Sequence, residues 1–336
     1  MELPTISIIV PCYNEQTTIR QLLEAIYHQT YPRAEMEVVI ADGLSEDATR
    51  DEIAGFQRGH PDLILRVVDN TARTIPSAIN CALLAARGET IIRMDAHSRP
   101  YPDYVERCII ALDAGLGDNV GGIWEIKPGG KSWMAASIAV AAAHPLGVGD
   151  AGYRIGARAS VVDTVPFGAF RRTLIDKVGL FDEFLLSNED YEFNTRIRQS
   201  GGRVWLDPEI VTVYYARPTL RELARQYWRY GYWKFHMLRR YPDTLRWRQA
   251  LPPLFVASLI GLLLLVWWSL AAWLLALELI IYFSVLLLAG VLSSLRQRKI
   301  YLFIGLPLSI ATMHLAWGGG FLWSIIMSTL EKRRNG

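Results

Sequence analysis

The chain has 336 residues, enough for one large domain or two smaller ones around a sizeable buried core. A formal net charge of +2 is too small to draw it to nucleic acid, and three cysteines (Cys12, Cys81 and Cys108) without metal-ligand spacing exclude a disulfide scaffold and a thiolate metal site. The averages conceal a split: residues 1–250 carry nearly all of the charge, whereas 251–328 are almost continuously apolar.

In chain order, 6–10 is a β-branched run that reads as a buried strand, and Ile19, Leu22, Leu23 and Ile26 follow at helical spacing. No charged start and apolar run precede that strand, so the sequence predicts no cleaved signal peptide and an N-terminal domain that stays in the cytosol. Strands are predicted at 36–41, 63–68 and 90–94, with helices at 46–56 and 76–86 between them. This alternation implies a mostly parallel sheet with helices on both faces, whose ligands sit at the carboxyl ends of the strands. Further on, 120–126 reads as a strand, 132–143 as a helix and 144–165 as a long glycine-containing loop. A helix at 189–199, short strands at 204–207 and 210–215, and a basic, aromatic helix at 220–240 complete the charged region.

The apolar tail predicts three hydrophobic segments. Residues 251–295 are long enough for two spans with a turn near 269–272, interrupted by a single carboxylate, Glu278. Arg296, Arg298 and Lys299 then return to the inside by the positive-inside rule. Residues 301–327 form a third apolar run holding Pro307 and Gly318-Gly319-Gly320. As a full span it would place Lys332, Arg333 and Arg334 outside; as a broken or re-entrant segment it would keep them inside, and the sequence leaves both open.

Five polar clusters stand out, each with a plainer reading beside it. Pro11-Cys12-Tyr13-Asn14-Glu15 follows a buried strand and offers backbone amides and side chains to a cleft, or merely caps a helix. Asp42 ends the second strand and can accept hydrogen bonds from a base or ribose, or belongs to an Asp-Gly turn. Asp95 and His97, two apart, are both ligands for a divalent cation on a diphosphate, or a strand cap and a surface histidine. Glu189 and Asp190 suit general-base work, or are the acids that helix N-termini prefer. Gln226, Arg229 and Tyr230 can meet a diphosphate and a sugar ring, or belong to an interfacial amphipathic helix.

Taken in order, PCYNE at 11–15, Asp42, DAH at 95–97, ED at 189–190 and Q-x-x-R-aromatic at 226–230 resemble the inverting glycosyltransferases of family 2, which have the GT-A fold. The stretches RMDAH at 93–97, DTVPFG at 163–168, NEDYEF at 188–193 and RQYWRYGYWK at 225–234 resemble its succinoglycan-biosynthesis glucosyltransferase-like group. The resemblance implies that Pro11, Tyr13, Glu15 and Asp42 hold the uridine end of a UDP-sugar and that Asp95 also meets the donor, through a metal. His97 stands where the wider family has a second Asp; with Asp95 it would hold Mg²⁺ or Mn²⁺. Asp190, beside Glu189, would be the general base, and Gln226, Arg229 and Tyr230 would serve the diphosphate and acceptor, with Tyr230 in place of the motif's usual Trp.

The resulting expectation is a GT-A catalytic domain over 1–217, amphipathic interfacial helices over 218–250 and a transmembrane region over 251–330. Its function would be transfer of a hexose, glucose by resemblance, from a UDP-sugar to a hydroxyl of a lipid-linked saccharide in exopolysaccharide or cell-surface glycan synthesis. It would sit as a multi-pass protein in the inner (plasma) membrane, against membrane lipid, with catalysis on the cytosolic side. The alternatives are transfer directly onto polyprenyl phosphate and a non-catalytic nucleotide-sugar-binding membrane subunit. No G-x-G-x-x-G follows the first strand, against a dinucleotide-binding enzyme.

Overall fold

The computed structural model describes residues 5–335, with side chains as far as Glu331, so the charges of Lys332, Arg333 and Arg334 lie outside the described residues. In chain order the elements are β1 (Ile6–Cys12), α1 (Ile19–Tyr27), β2 (Met36–Asp42), α2 (Thr49–Gly59), β3 (Ile64–Asp69), α3 (Ile75–Ala85), β4 (Thr90–Arg93), β5 (Arg99–Pro100), α4 (Tyr104–Asp113) and β6 (Asn119–Pro128). Next come α5 (Trp133–Ala142), α6 (Pro145–Val148), α7 (Gly152–Ile155), β7 (Ser160–Val161), β8 (Ala169–Arg171), α8 (Thr173–Val178), α9 (Glu189–Gln199) and β9 (Val204–Ala216). The helices α10 (Leu220–Arg240), α11 (Trp247–Leu264), α12 (Ser269–Gln297) and α13 (Leu302–Asn335) follow.

The chain divides into two compact units, 1–125 with 152–214, and 126–151 with 215–336. In the first, alternate residues of β1 serve two cores. Ile6, Ile8 and Val10 pack with Ile19, Leu22, Leu23 and Ile26 of α1. Ile9 packs with Ala78, Ile79, Ala82 and Leu83 of α3 on the other face. Each such aliphatic side chain taken fully from water contributes about 1.5–3 kcal/mol. With both faces covered, β1 and β2 are buried at every residue, hence their mostly apolar sequences, and the polar exceptions Ser7 and Glu37 hydrogen-bond each other.

The sheet runs β3-β2-β1-β4-β8-β6-β9-β5, with β7 against β9. Its first four strands are parallel, and β8 turns the pairing antiparallel. Cys12 lies beside Asp42, and Ile9 beside Arg93, so β2, β1 and β4 end next to one another. Chain order reverses at β1, which sets a crevice at those ends.

Several expectations are corrected. The predicted pair of strands at 204–207 and 210–215 is one strand, β9; the Asp207 side chain takes the Glu209 amide and carries the extended chain past Pro208. The predicted loop at 144–165 holds α6, α7 and β7. α4 went unpredicted although Tyr104, Val105, Cys108, Ala111 and Leu112 bury one helical face.

In the second unit, Ser269 to Ala272, where a turn was predicted, form the first turn of α12, and residues 265–268 make the connection. Ala271 and Ala272 favour helix, which moves the turn forward. Helices α11, α12 and α13 are each long and apolar enough to cross a membrane. α13 is continuous through Pro307 and Gly318-Gly319-Gly320. Those glycines do not break the helix; they let backbones approach. A Cβ on Gly320 would lie 2.2 Å from the Trp228 carbonyl oxygen, and one on Gly318 would lie 2.4 Å from that of Pro252.

Candidate active site

Arg93 ends β4, only 2% exposed, with its guanidinium among three carboxylates. It donates to Asp95 Oδ1 at 2.9 Å, to Glu189 Oε1 at 3.1 Å and, in the tightest of the three contacts, to Asp190 Oδ2. Asp95 follows β4, and Glu189 and Asp190 open α9, so a buried cation joins acids far apart in sequence. Burial opposes charge on Arg93, and the carboxylates, Asp190 foremost, more than offset it and hold the group above the ordinary arginine value.

Asp190 also accepts the Phe167 amide at 3.4 Å. Phe167 has a left-handed φ of 65°, in the DTVPFG turn, and this conformation aims its N–H at the carboxylate. Burial pushes the Asp190 carboxyl up to about 7; Arg93 opposes that rise, and Glu189 and Asp95 reinforce it. A carboxyl group poised there is matched to taking a proton near neutrality.

The Asp95 and His97 side chains face one another, Oδ2 to Nε2, at 3.9 Å. The other imidazole nitrogen, Nδ1, lies 3.0 Å from Glu15 Oε1; an ionised carboxylate only accepts, so Nδ1 carries the hydrogen. Thr18 Oγ1 donates to the second Glu15 oxygen. An imidazole steered by a carboxylate on one nitrogen, with the other turned to an aspartate, is the arrangement that metal-binding histidines use. Among the described residues no three His, Cys, Asp or Glu side chains form a cage, so a metal here would take further ligands from substrate and water. The donor set of one carboxylate and one imidazole fits such an ion.

Asp42 is fully buried. It accepts from Arg50 Nε at 2.5 Å, Ser45 Oγ at 2.5 Å and the Ser45 amide at 3.0 Å. Arg50 reaches on to Asp69 at 2.5 Å. Asn14 takes a left-handed φ of 54°, its amide donates to Ser45 Oγ, and its side chain accepts from the Glu46 amide, tying the turn after β1 to the turn after β2. Tyr13 is 42% exposed, and a Cβ on Gly43 would lie 3.0 Å from its ring, so that ring packs closely against Gly43. Pro11 is buried within β1 beside Ala41. Burial, then the Asp42 and Glu15 charges, hold the Cys12 thiol far above its ordinary value, which marks the negative potential of this end of the sheet.

The first unit thus gathers Tyr13, Glu15, Asp42, Asp95, His97, Glu189 and Asp190 around the ends of β1, β2 and β4. In the second unit, α10 carries Gln226, Arg229 and Tyr230: Gln226 donates to the Tyr230 hydroxyl at 3.0 Å, and Arg229 is exposed. Sequence reasoning missed the parts of Arg93, Arg50 and the Phe167 amide. A charged residue closing the buried run TIIR was the available signal for Arg93, since a buried cation needs partners.

The model of the family described as "Glycosyl transferase family 2" matches residues 7–179. The succinoglycan biosynthesis protein ExoA of Rhizobium meliloti is 30% identical over 94% of this chain and 93% of its own length. A Methanococcus voltae enzyme, dolichyl N-acetyl-alpha-D-glucosaminyl phosphate 3-beta-D-2,3-diacetamido-2,3-dideoxy-beta-D-glucuronosyltransferase, is 27% identical over 96% of this chain and 97% of its own. The structure of the mannosyltransferase PcManGT from Pyrobaculum calidifontis, in complex with GDP-Man and Mn²⁺, shares the fold: TM-score 0.63, 23% identity, 96% of this chain and 88% of that one. With a GT-A sheet, acids at its strand ends and these relatives, the chain belongs to glycosyltransferase family 2.

Proposed function

We propose that the protein is a membrane-anchored inverting transferase that moves a hexose, glucose by its resemblance, from a UDP-sugar to a hydroxyl of a lipid-linked saccharide in cell-surface or exopolysaccharide synthesis. The observation that carries this is the cluster in which Arg93 holds Asp190 and Asp95 together. Asp190 accepts the proton of the acceptor hydroxyl as that oxygen attacks the anomeric carbon. The bond from that carbon to the diphosphate oxygen breaks, and the nucleoside diphosphate leaves with the electron pair. A single displacement inverts the configuration, so an α-linked donor gives a β-linked product.

Tyr13, Glu15 and Asp42, with Pro11 shaping the turn, hold the nucleoside end of the donor. Asp42 accepts from donor hydroxyls or ring N–H groups in exchange for part of its bonding to Ser45. Asp95 and His97 would hold Mg²⁺ or Mn²⁺, which when bound neutralises the charge developing on the leaving diphosphate. Gln226, Arg229 and Tyr230 serve the diphosphate and acceptor. Glu189 keeps the base's carboxyl group high by like charge.

A hydroxyl acceptor is supported by the base itself, since a phosphate acceptor is already ionised and needs none. The name of the Methanococcus relative agrees, describing a β-linked sugar added to a sugar on dolichyl phosphate. The three long apolar helices support catalysis at a membrane, for which the cytosolic face of the inner membrane is proposed. The test is nucleoside diphosphate release by protein in nanodiscs, given Mn²⁺ or Mg²⁺ and a panel of UDP- and GDP-sugars, with and without a bacterial lipid extract. Release from one UDP-sugar that the extract increases and EDTA abolishes supports the reading. Absence of both release and donor binding refutes it.

A further inference from the structure

The two units differ in surface, and the second holds an unexpected disposition of its three apolar helices. α11 and α12 form an antiparallel hairpin: Phe255 stacks on Tyr282 at 4.3 Å, and Ser258 donates to Glu278. Among the described residues, α13 meets the half of this hairpin near the start of α11. Gly290 of α12 abuts Phe303 and Pro307, Tyr282 meets His314 at 3.0 Å, and Gly318 abuts Pro252 and Val256 of α11.

Past Gly318, α13 leaves the hairpin. Trp228 lies against Gly319 and Gly320, Gly231 against Trp317 and Phe321, and Phe235 packs its ring 5.6 Å from Phe321, so the second half of α13 follows α10. Its end stays there: the Glu331 carboxylate acts on His236, which burial holds below the ordinary histidine value. Among the described residues, no third helix lies beside the far half of the hairpin. Ile260, Leu263, Leu264, Trp273, Leu277 and Ile280 are all at least half exposed. Along their apolar stretches, α11 and α12 bury 11% and 17% of their residues within the protein, and α13 buries 50%.

α10 cannot lie in hydrocarbon. Arg221, Arg225 and Arg229 are exposed in its first half and Arg239 and Arg240 at its end, and it precedes the first apolar helix. A helix that accompanies it must remain on the same side of the bilayer. Near its own start α13 is held by other elements that precede the hairpin: Ser137 of α5 contacts Gly305, and His314 Nε2 donates to the Leu146 carbonyl at 2.7 Å.

We infer that the chain crosses the membrane twice, through α11 and α12, and that α13 is not a third span. It is an oblique interfacial helix that enters the near leaflet at the base of the hairpin and returns along α10. The partner it fits is the lipid surface: exposed Phe303, Ile304 and Leu308 face acyl chains, and the α10 arginines face anionic headgroups. The residues of α10 that precede the hairpin and the end of α13 therefore share one side of the bilayer. That this side is the cytosol rests on the function proposed above; the parity of crossings does not.

The test is side-specific labelling of the full-length protein in bacterial cells by a membrane-impermeant maleimide, in a Cys81→Ser background. Three single substitutions report: Leu84→Cys, 71% exposed in the first unit, Trp268→Cys in the hairpin turn, and Gly336→Cys at the C-terminus. Labelling of Trp268→Cys in intact cells, with Leu84→Cys and Gly336→Cys labelled only after permeabilisation, is expected. Labelling of Gly336→Cys from the same side as Trp268→Cys overturns the inference, as does Trp268→Cys sharing a side with Leu84→Cys. Outside labelling of Leu84→Cys and Gly336→Cys together, with Trp268→Cys protected, upholds two crossings and refutes cytosolic catalysis.

Discussion

Arg93 donates a tight hydrogen bond to Asp190, and 97 residues of chain separate the two. One is the last residue of a buried strand and the other lies in the first turn of a helix, so the proposed base is placed by a cation that the core itself holds.

Asp190→Asn is expected to lower turnover by roughly 10²–10⁴-fold while donor binding persists. In the parent, kcat/KM should rise with pH through about 7, where the carboxyl group ionises. Wild-type turnover in the variant removes Asp190 as the base.

The same group sets a stability trend. A carboxyl whose folded value lies above its ordinary one binds a proton in the folded chain that the unfolded chain has already released. Its contribution is fully present below the ordinary carboxylate range and is lost as pH rises to about 7. Asp190→Asn never ionises, and Asp95 and Glu189 still neutralise Arg93. Chemical denaturation should therefore find the variant more stable than the parent at pH 8, by on the order of 1 kcal/mol, with the gap shrinking toward pH 4.

Arg93→Met leaves three close, partly buried carboxylates without their cation. A loss of roughly 3–5 kcal/mol is expected, as for other broken buried ion pairs. It should be larger at pH 8 than at pH 5, because protonation relieves the repulsion. A urea midpoint that falls equally at both values would count against this electrostatic account.

Glu15→Gln tests the support of the proposed metal site. It removes the charge that orients His97 Nδ1, and Mn²⁺ affinity should fall by about 10–100-fold. Titration of free Mn²⁺ by electron paramagnetic resonance reads this without turnover, and unchanged affinity would separate Glu15 from the metal.

Gly320→Ala sets a Cβ 2.2 Å from the Trp228 carbonyl oxygen, where backbone must move, whereas nothing lies within 4 Å of a Cβ on Gly261. Thermal melting in detergent should fall by several degrees for Gly320→Ala and stay level for Gly261→Ala. Equal melting would mean that α10 and α13 do not pack through these glycines.

The parallel half of the sheet was legible because burial on both faces writes mostly apolar, β-branched runs such as ISIIV, and strand ends are where polar residues cluster. Asp42, Asp95 and His97 were found by that rule. Partnerships were not legible: nothing local says that Arg93 binds Asp190, or that Arg50 closes over Asp42. The antiparallel half was read poorly because β8 has three residues and β5 and β7 two each, too short to show a period. Whether α13 is whole or broken stayed open in the sequence, and only the neighbouring Trp228 and Pro252 backbones show that its three consecutive glycines permit contact.

The 97 residues between Arg93 and Asp190 also carry a consequence for biosynthesis. Strands β1 to β4 leave the ribosome first, and at about 5–20 residues per second the base follows some 5–20 seconds later. During that interval Arg93 has Asp95 alone of its three acids, and the nascent chain holds the ends of β1, β2 and β4 without the proposed base. On the roles proposed above, the order of synthesis delivers the base after the strand ends that would receive the donor, and before α11 and α12 are translated.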